Sequence, residues 1–123
     1  MNNRVYPAVA YGLLILALSS IPGESMPPLS WLSLNKLIHV GEYAIFAIIL
    51  VRVFSGQYRG LLKAGLAALL VATLYGAFDE SYQMLIPGRD SSLWDWLADL
   101  LGAVIGISAY TAWQRFNDPH PVR

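Results

Sequence analysis

Residues 61–85 read LLKAGLAALLVATLYGAFDESYQML, from Leu61 to Leu85. Between Lys63 at its start and Asp79 near its end, this run carries no charge. It exceeds the roughly 20 residues needed to cross a bilayer as a helix. A helix on the surface of a soluble protein would show a charged face at a period of 3.6 residues, and this run shows none. Three further runs resemble it, at residues 5–21, 36–54 and 92–113. Pro22-Gly23, Pro27-Pro28, Ser55-Gly56 and Pro87-Gly88 separate them, as helix breakers should. The predicted fold is therefore all-α, an integral membrane bundle of four transmembrane helices spanning residues 1–116. A polar tail at 117–123 is expected to fray. Arg4 and the stretch Ala17-Leu18-Ser19 give the first run some likeness to a cleaved signal peptide. Its apolar length of about 17 residues exceeds the usual signal core of roughly 7–15, so it is read as a retained helix.

Composition supports the same class. Apolar residues make up 56% of the 123-residue chain and charged residues 13%, against about a quarter in an ordinary soluble domain. Mean hydropathy is +0.50. Too little charge is present to coat a soluble surface. Cysteine is absent, which excludes disulfides, thiolate metal sites and cysteine nucleophiles. The formal net charge of zero argues against nucleic acid as a partner.

That zero conceals a segregation. With four spans, Arg4, Arg52, Arg59, Lys63, Arg115 and Arg123 fall on one side, and only Lys36 and Arg89 on the other. The positive-inside rule then places both termini in the cytoplasm. The acids run the other way: Glu24, Glu42, Asp79, Glu80, Asp90, Asp95 and Asp99 map to the outer half, with Asp118 alone inside. Trp31, Trp94 and Trp96 sit near the outer ends and Trp113 near the inner end, the expected places of interfacial anchors.

Helical geometry gathers these acids. At 1.5 Å rise per residue, Glu42, Asp79 and Asp99 each lie about 9–10 Å below the outer end of their helix. Lys36, His39, Glu80, Gln83 and Asp95 lie above them, and Arg89 and Asp90 sit on the loop that roofs them. At about 100° per residue, Asp79 and Gln83 share a face, as do Lys36, His39 and Tyr43. Ser92, Asp95, Asp99, Gly102 and Gly106 form one stripe of the fourth helix. A small-xxx-small pair allows close helix approach, so the stripe carrying Asp95 and Asp99 is expected to pack inward. Ionisable groups in hydrocarbon cost several kcal/mol unless paired, hydrated or functional. Seven acids face two bases on this side, so some carboxylates must be protonated, hydrated or bound to metal.

The stretches Lys36-Leu-Ile-His39-Val-Gly-Glu42-Tyr43, Asp79-Glu80-Ser-Tyr-Gln83 and Pro87-Gly88-Arg89-Asp90, with Asp95, Asp99, Gly102 and Gly106, together resemble the VanZ-like family. That pattern opens the second helix with K-x-x-H and closes the third with D/E-E-x-x-Q. An Arg-bearing loop follows, and the fourth helix carries D-x-x-x-N-x-x-G-x-x-x-G. The resemblance covers about residues 5–113. It departs at Asp99, where the pattern more often has Asn, which adds a titratable group. The resemblance implies a four-helix membrane protein, in a family named for a member associated with teicoplanin resistance. Glycopeptides act on wall precursors outside the cytoplasmic membrane, the side on which the charge pattern places the polar cluster.

Three function classes are compatible with these residues. In the first, an outward-facing site in a bacterial inner membrane binds or acts on a cell-envelope or lipid-linked component. Glu42, Asp79, Glu80, Asp95, Asp99 and His39 are then the candidate acid–base or metal-binding groups, with Lys36, Tyr43, Gln83 and Arg89 as candidates for substrate binding. Carboxylate ligands would suit Mg²⁺, Mn²⁺ or Ca²⁺, and inclusion of His39 would admit Zn²⁺. Lys36 and Arg89 suit a phosphate or carboxylate. In the second, the chain is a non-catalytic accessory protein whose polar cluster is a structural ion-pair network. The third, transport, ranks last, because the inner half offers almost no polar lining. No nucleophile motif or phosphate loop selects a reaction.

Overall fold

The computed structural model describes residues 2–25 and 32–118. Among these residues are four α-helices, α1 (Val5–Ser19), α2 (Leu32–Ser55), α3 (Leu61–Gln83) and α4 (Leu93–Asn117), with one turn of 3-10 helix at Gly23–Ser25. No strand occurs among them. Three of the helices, α2, α3 and α4, are long and apolar enough to cross a membrane. The fourth, α1, has 15 residues, or about 22 Å of helix, against a hydrocarbon thickness of about 30 Å. It still reaches both ends of the bundle. At one end Arg4 donates to the Arg52 carbonyl at 3.4 Å. At the other, Gln83 donates to the Ser19 hydroxyl at 3.3 Å.

These contacts define an up-and-down arrangement. The end of α1, the start of α2, the end of α3 and the start of α4 meet at one face, joined also by a 2.9 Å bond from the Gly23 amide to the Pro87 carbonyl. Pairing of Lys36 and His39 on α2 with Asp95 and Asp99 on α4 lies at the same face. Pro27, Pro28, Trp31 and Arg123 lie outside the described residues.

The helix ends differ from the hydropathy runs for local reasons. α2 begins at Leu32, earlier than residue 36, because Ser33 and Asn35 are helical without being apolar. α3 stops at Gln83. Beyond it, tighter i→i+3 bonds from Leu85 to Tyr82 and from Ile86 to Gln83 close the turn ahead of Pro87, whose ring disfavours helix in the residue before it. α4 opens on Ser92, whose hydroxyl accepts from the Trp94 amide at 3.1 Å. This N-cap satisfies one of the orphan donors of the first turn, and Asp95 adds a negative charge where the helix dipole favours it.

Packing follows the logic of a lipid solvent. On α3 the inward stripe is Ala64, Ala68, Ala72 and Gly76, all buried, and the outward stripe is Leu62, Leu66, Leu70, Leu74 and Phe78, all exposed. Large side chains face out and small ones face in. Lipid tails are as apolar as leucine, so nothing drives leucine inward, while small residues let helix backbones approach. Below the polar face the core is apolar, built from Ile15, Phe46, Ala47, Leu50, Val51 and Ala103 with the α3 alanines.

The most extensive helix pair is α2 with α4. As the small-xxx-small spacing predicts, Gly102 and Gly106 form its seam. A Cβ added at Gly102 would overlap the Val40 carbonyl, and one at Gly106 the Ala44 carbonyl. Polar pins fix the remaining helices: Tyr11 donates to the Glu42 carbonyl at 3.0 Å, Tyr75 to the Gly12 carbonyl and Trp96 to the Thr73 carbonyl at 3.1 Å. Trp94 and Trp113 are exposed as anchors should be. Trp96 instead turns toward α3 and is half-buried, because its indole N–H finds a carbonyl there.

Gly41 provides an internal control, since nothing lies within 4 Å of a Cβ placed on it. Gly102→Ala and Gly106→Ala are each expected to cost about 1–3 kcal/mol by overpacking, seen as a lower melting temperature in detergent. Gly41→Ala should leave the melting temperature unchanged or raise it.

Candidate functional site

Each helix brings its polar side chains to the common face for a readable reason. On α3, Asp79, Glu80 and Gln83 continue the small-residue stripe and so inherit its inward direction; all three are buried. On α4, Asp95 and Asp99 share the face of Gly102 and Gly106 and are buried with them. On α2, His39 precedes Val40, whose carbonyl touches Gly102. The helix seam therefore carries His39 against Asp99.

At the centre, His39 Nδ1 lies 2.8 Å from Asp99 Oδ1, a hydrogen bond between α2 and α4. Nε2 of the same ring faces Asp95 Oδ2 at 3.9 Å. Asp95 is held in turn by an ion pair with Lys36 and by Asn35 at 3.4 Å. The other oxygen of Asp99 sits against α3, where a Cβ on Gly76 would stand 3.2 Å from it. The absence of a side chain at Gly76 makes the room for that carboxylate.

Two further carboxylates come from α3. Asp79 accepts from Gln83 at 3.2 Å, and Gln83 also bonds Ser19 of α1. Glu80 accepts through Oε2 from the Ser92 amide at 3.2 Å and the Ser91 hydroxyl at 3.5 Å. The loop into α4 thus anchors one oxygen of Glu80 and leaves the other facing the cluster.

Not every polar atom finds a partner. Tyr43 OH, Asp79 Oδ1, Glu80 Oε1 and Asp99 Oδ2 are buried without a hydrogen bond to any described residue. Buried polar groups are overwhelmingly paired in folded proteins, and an orphan in a low dielectric is costly. Asp79 and Asp99 are each only 1% exposed. One ligating atom from each of His39, Glu80 and Asp99 can be chosen so that all three lie within 4.8 Å of one another. These three residues could hold a cation.

The cluster is therefore ordered differently from the layers expected by depth. Glu42 is half-buried, and its carboxylate makes no hydrogen bond to a described residue; its surroundings are the charges of His39, Asp79, Arg89 and Glu80. Arg89 is half-buried above and acts on Glu42 and Asp79 through space, without an ion pair among the described residues. Asp90 is exposed. His39 is a member of the central pair rather than of a lid. Ser19, Asn35 and Ser91 were not among the expected site residues. Ser19 is the one whose signal was readable: a small polar residue on the last turn of an apolar helix.

A family model described as VanZ/LLP1 matches residues 5–114. The match spans most of the chain, and the chain belongs to that family. No curated protein and no solved structure matches it significantly.

The Lys36–Asp95 pair makes a direct test of how tightly the cluster is balanced. Lys36→Met leaves Asp95 buried without its cation and is expected to cost about 1–3 kcal/mol. The double variant Lys36→Met/Asp95→Leu should recover part of that loss, because it removes the stranded charge along with its partner. Thermal unfolding of the three proteins in one detergent measures the coupling.

Proposed function

We propose that this VanZ/LLP1-family protein binds a lipid-linked cell-envelope molecule by its polar head, at the outer face of the bacterial cytoplasmic membrane. The observation that carries this reading is the set of four buried polar atoms left without partners among the described residues, at one end of an otherwise apolar bundle. A network built only for stability would close on itself, and this one does not. Its open valences lie near a membrane surface, the depth at which the head group of an amphiphile sits while its tail stays in lipid.

The division of labour follows from the contacts. Asp79, Glu80 and Asp99 offer oxygens to hydroxyls, amides or a cation, and Tyr43 offers a phenol. Arg89, which has no ion-pair partner among the described residues, is available to a phosphate or carboxylate at the rim. His39, set between Asp99 and Asp95, has the neighbours of a general base or acid. The outward orientation rests on the positive-inside distribution of arginine and lysine. A transport path finds no support, because the core beneath the cluster is lined by Phe46, Leu50, Val51 and alanines.

A structural ion-pair network is the competing reading, and the Lys36–Asp95 pair favours it. Cells in which Asp79→Asn or Asp99→Asn replaces the wild-type protein separate the two. Head-group binding predicts a changed profile of lipids and lipid-linked wall precursors, and altered teicoplanin susceptibility, with normal amounts of tagged protein in the membrane. Loss of the protein from the membrane, with no change beyond that of a deletion, would support the structural network.

Orientation has its own test, because the chain contains no cysteine. With Gln57→Cys and Asp90→Cys made separately, an impermeant thiol reagent added to intact spheroplasts should label position 90 and spare position 57. Labelling of 57 alone would invert the assignment.

A further inference from the structure

We infer that His39, Glu80 and Asp99 form a divalent metal site of the zinc class, with one protein ligand from each of α2, α3 and α4. Their ligating atoms converge to within 4.8 Å. The three side chains are buried, Glu80 to 5% and Asp99 to 1% exposure. Two of the orphan oxygens of the molecule, Glu80 Oε1 and Asp99 Oδ2, belong to this triad. A buried oxygen with no donor in reach has the chemistry of a cation ligand.

The fixed atoms support the same assignment. One oxygen of Glu80, Oε2, is already held by Ser91 and Ser92, and Asp99 can offer either oxygen once an ion displaces the proton that joins its Oδ1 to the imidazole. The 2.8 Å separation of His39 Nδ1 and Asp99 Oδ1 would widen toward about 3.4 Å, the edge between two ligands bonded at about 2.1 Å in a tetrahedral site. An ion taking the place of the proton between them must also draw in the third ligand by side-chain rotation, since two atoms bonded at about 2.1 Å stand no more than about 4.2 Å apart and the triad spans up to 4.8 Å. Nε2 then carries the imidazole hydrogen, and it faces Asp95 Oδ2, which Lys36 steadies. A carboxylate behind the second nitrogen is the usual support of a metal-bound histidine.

Charge and donor type select the ion. Two carboxylates and a neutral imidazole balance a divalent cation, which removes two uncompensated charges from a low-dielectric site. One nitrogen and two oxygens suit Zn²⁺ better than Ca²⁺ or Mg²⁺, which favour all-oxygen sets. Three protein ligands leave a fourth position open, as in catalytic rather than structural zinc sites. What fills that position rests on the head-group reading above; the metal itself does not.

The full chain, purified in detergent and stripped with EDTA, should take up about one equivalent of Zn²⁺ in a calorimetric titration. Co²⁺ in its place should give visible d–d absorption. His39→Gln, Glu80→Gln and Asp99→Asn should each weaken Zn²⁺ binding at least about 100-fold, while Glu24→Gln, a charge removed outside the triad, should bind as wild type does. Circular dichroism establishes that each variant compared is folded. A folded wild-type protein that binds neither Zn²⁺ nor Co²⁺ overturns the site whatever the variants do. So does binding that survives in two folded triad variants. Failure here is distinct from failure of the head-group reading. A metal-free protein whose Asp79→Asn variant still alters the precursor profile loses only the metal, and a zinc-loaded protein with no effect on that profile loses only the head group.

Discussion

The approach of α2 and α4 at Gly102 and Gly106 is the contact on which the rest of the molecule depends. In water, two helices come together because apolar side chains leave solvent. In lipid that drive is missing, and association comes from close van der Waals contact and from polar bonds between helices. The carbonyls of Val40 and Ala44 occupy the places where glycine side chains would otherwise be, so the two backbones touch. His39 precedes Val40, and Asp99 lies one turn before Gly102. The seam that joins the helices therefore also sets the 2.8 Å distance at the centre of the site.

From that seam the polar face is assembled by subtraction as much as by attraction. Gly76 leaves room for one oxygen of Asp99. The alanines of α3 keep its backbone close enough for Asp79 and Glu80 to enter a space that larger neighbours would have filled. The loop before α4 contributes an amide and a hydroxyl to Glu80 and an N-cap to the helix within three residues. The result has four buried acids, Asp79, Glu80, Asp95 and Asp99, beside Lys36 and His39.

Much of this was legible in the residues alone. The four helices followed from hydropathy and from the breakers between them, and the inward stripe of α4 followed from the spacing of Asp95, Asp99, Gly102 and Gly106. What hydropathy could not supply was the start of α2, since Ser33 and Asn35 are helical but polar, and the role of Trp96, whose direction depends on a carbonyl from another helix. Depth along a helix suggested that Glu42, Asp79 and Asp99 form one layer. Depth says nothing of azimuth, and rotation decides the pairs: His39 turns to Asp99 and Lys36 to Asp95, while Glu42 stays at the edge. Serines 19 and 91 escaped notice for a related reason. A single hydroxyl carries no periodicity, so its partner is visible only once the neighbouring chain is in place.

The inverted size pattern of α3 has a consequence for the molecule outside its native solvent. The inward stripe of α3 is alanine and glycine, whose transfer from water releases little free energy, while Leu62, Leu66, Leu70 and Leu74 lie on its perimeter. Repainting that perimeter with charged residues would leave α3 with little apolar area to bury in water. A helix that packs tightly among acyl chains would then dock only weakly on its neighbours in water, because for α3 the lipid takes the part that a buried leucine face plays in a soluble protein.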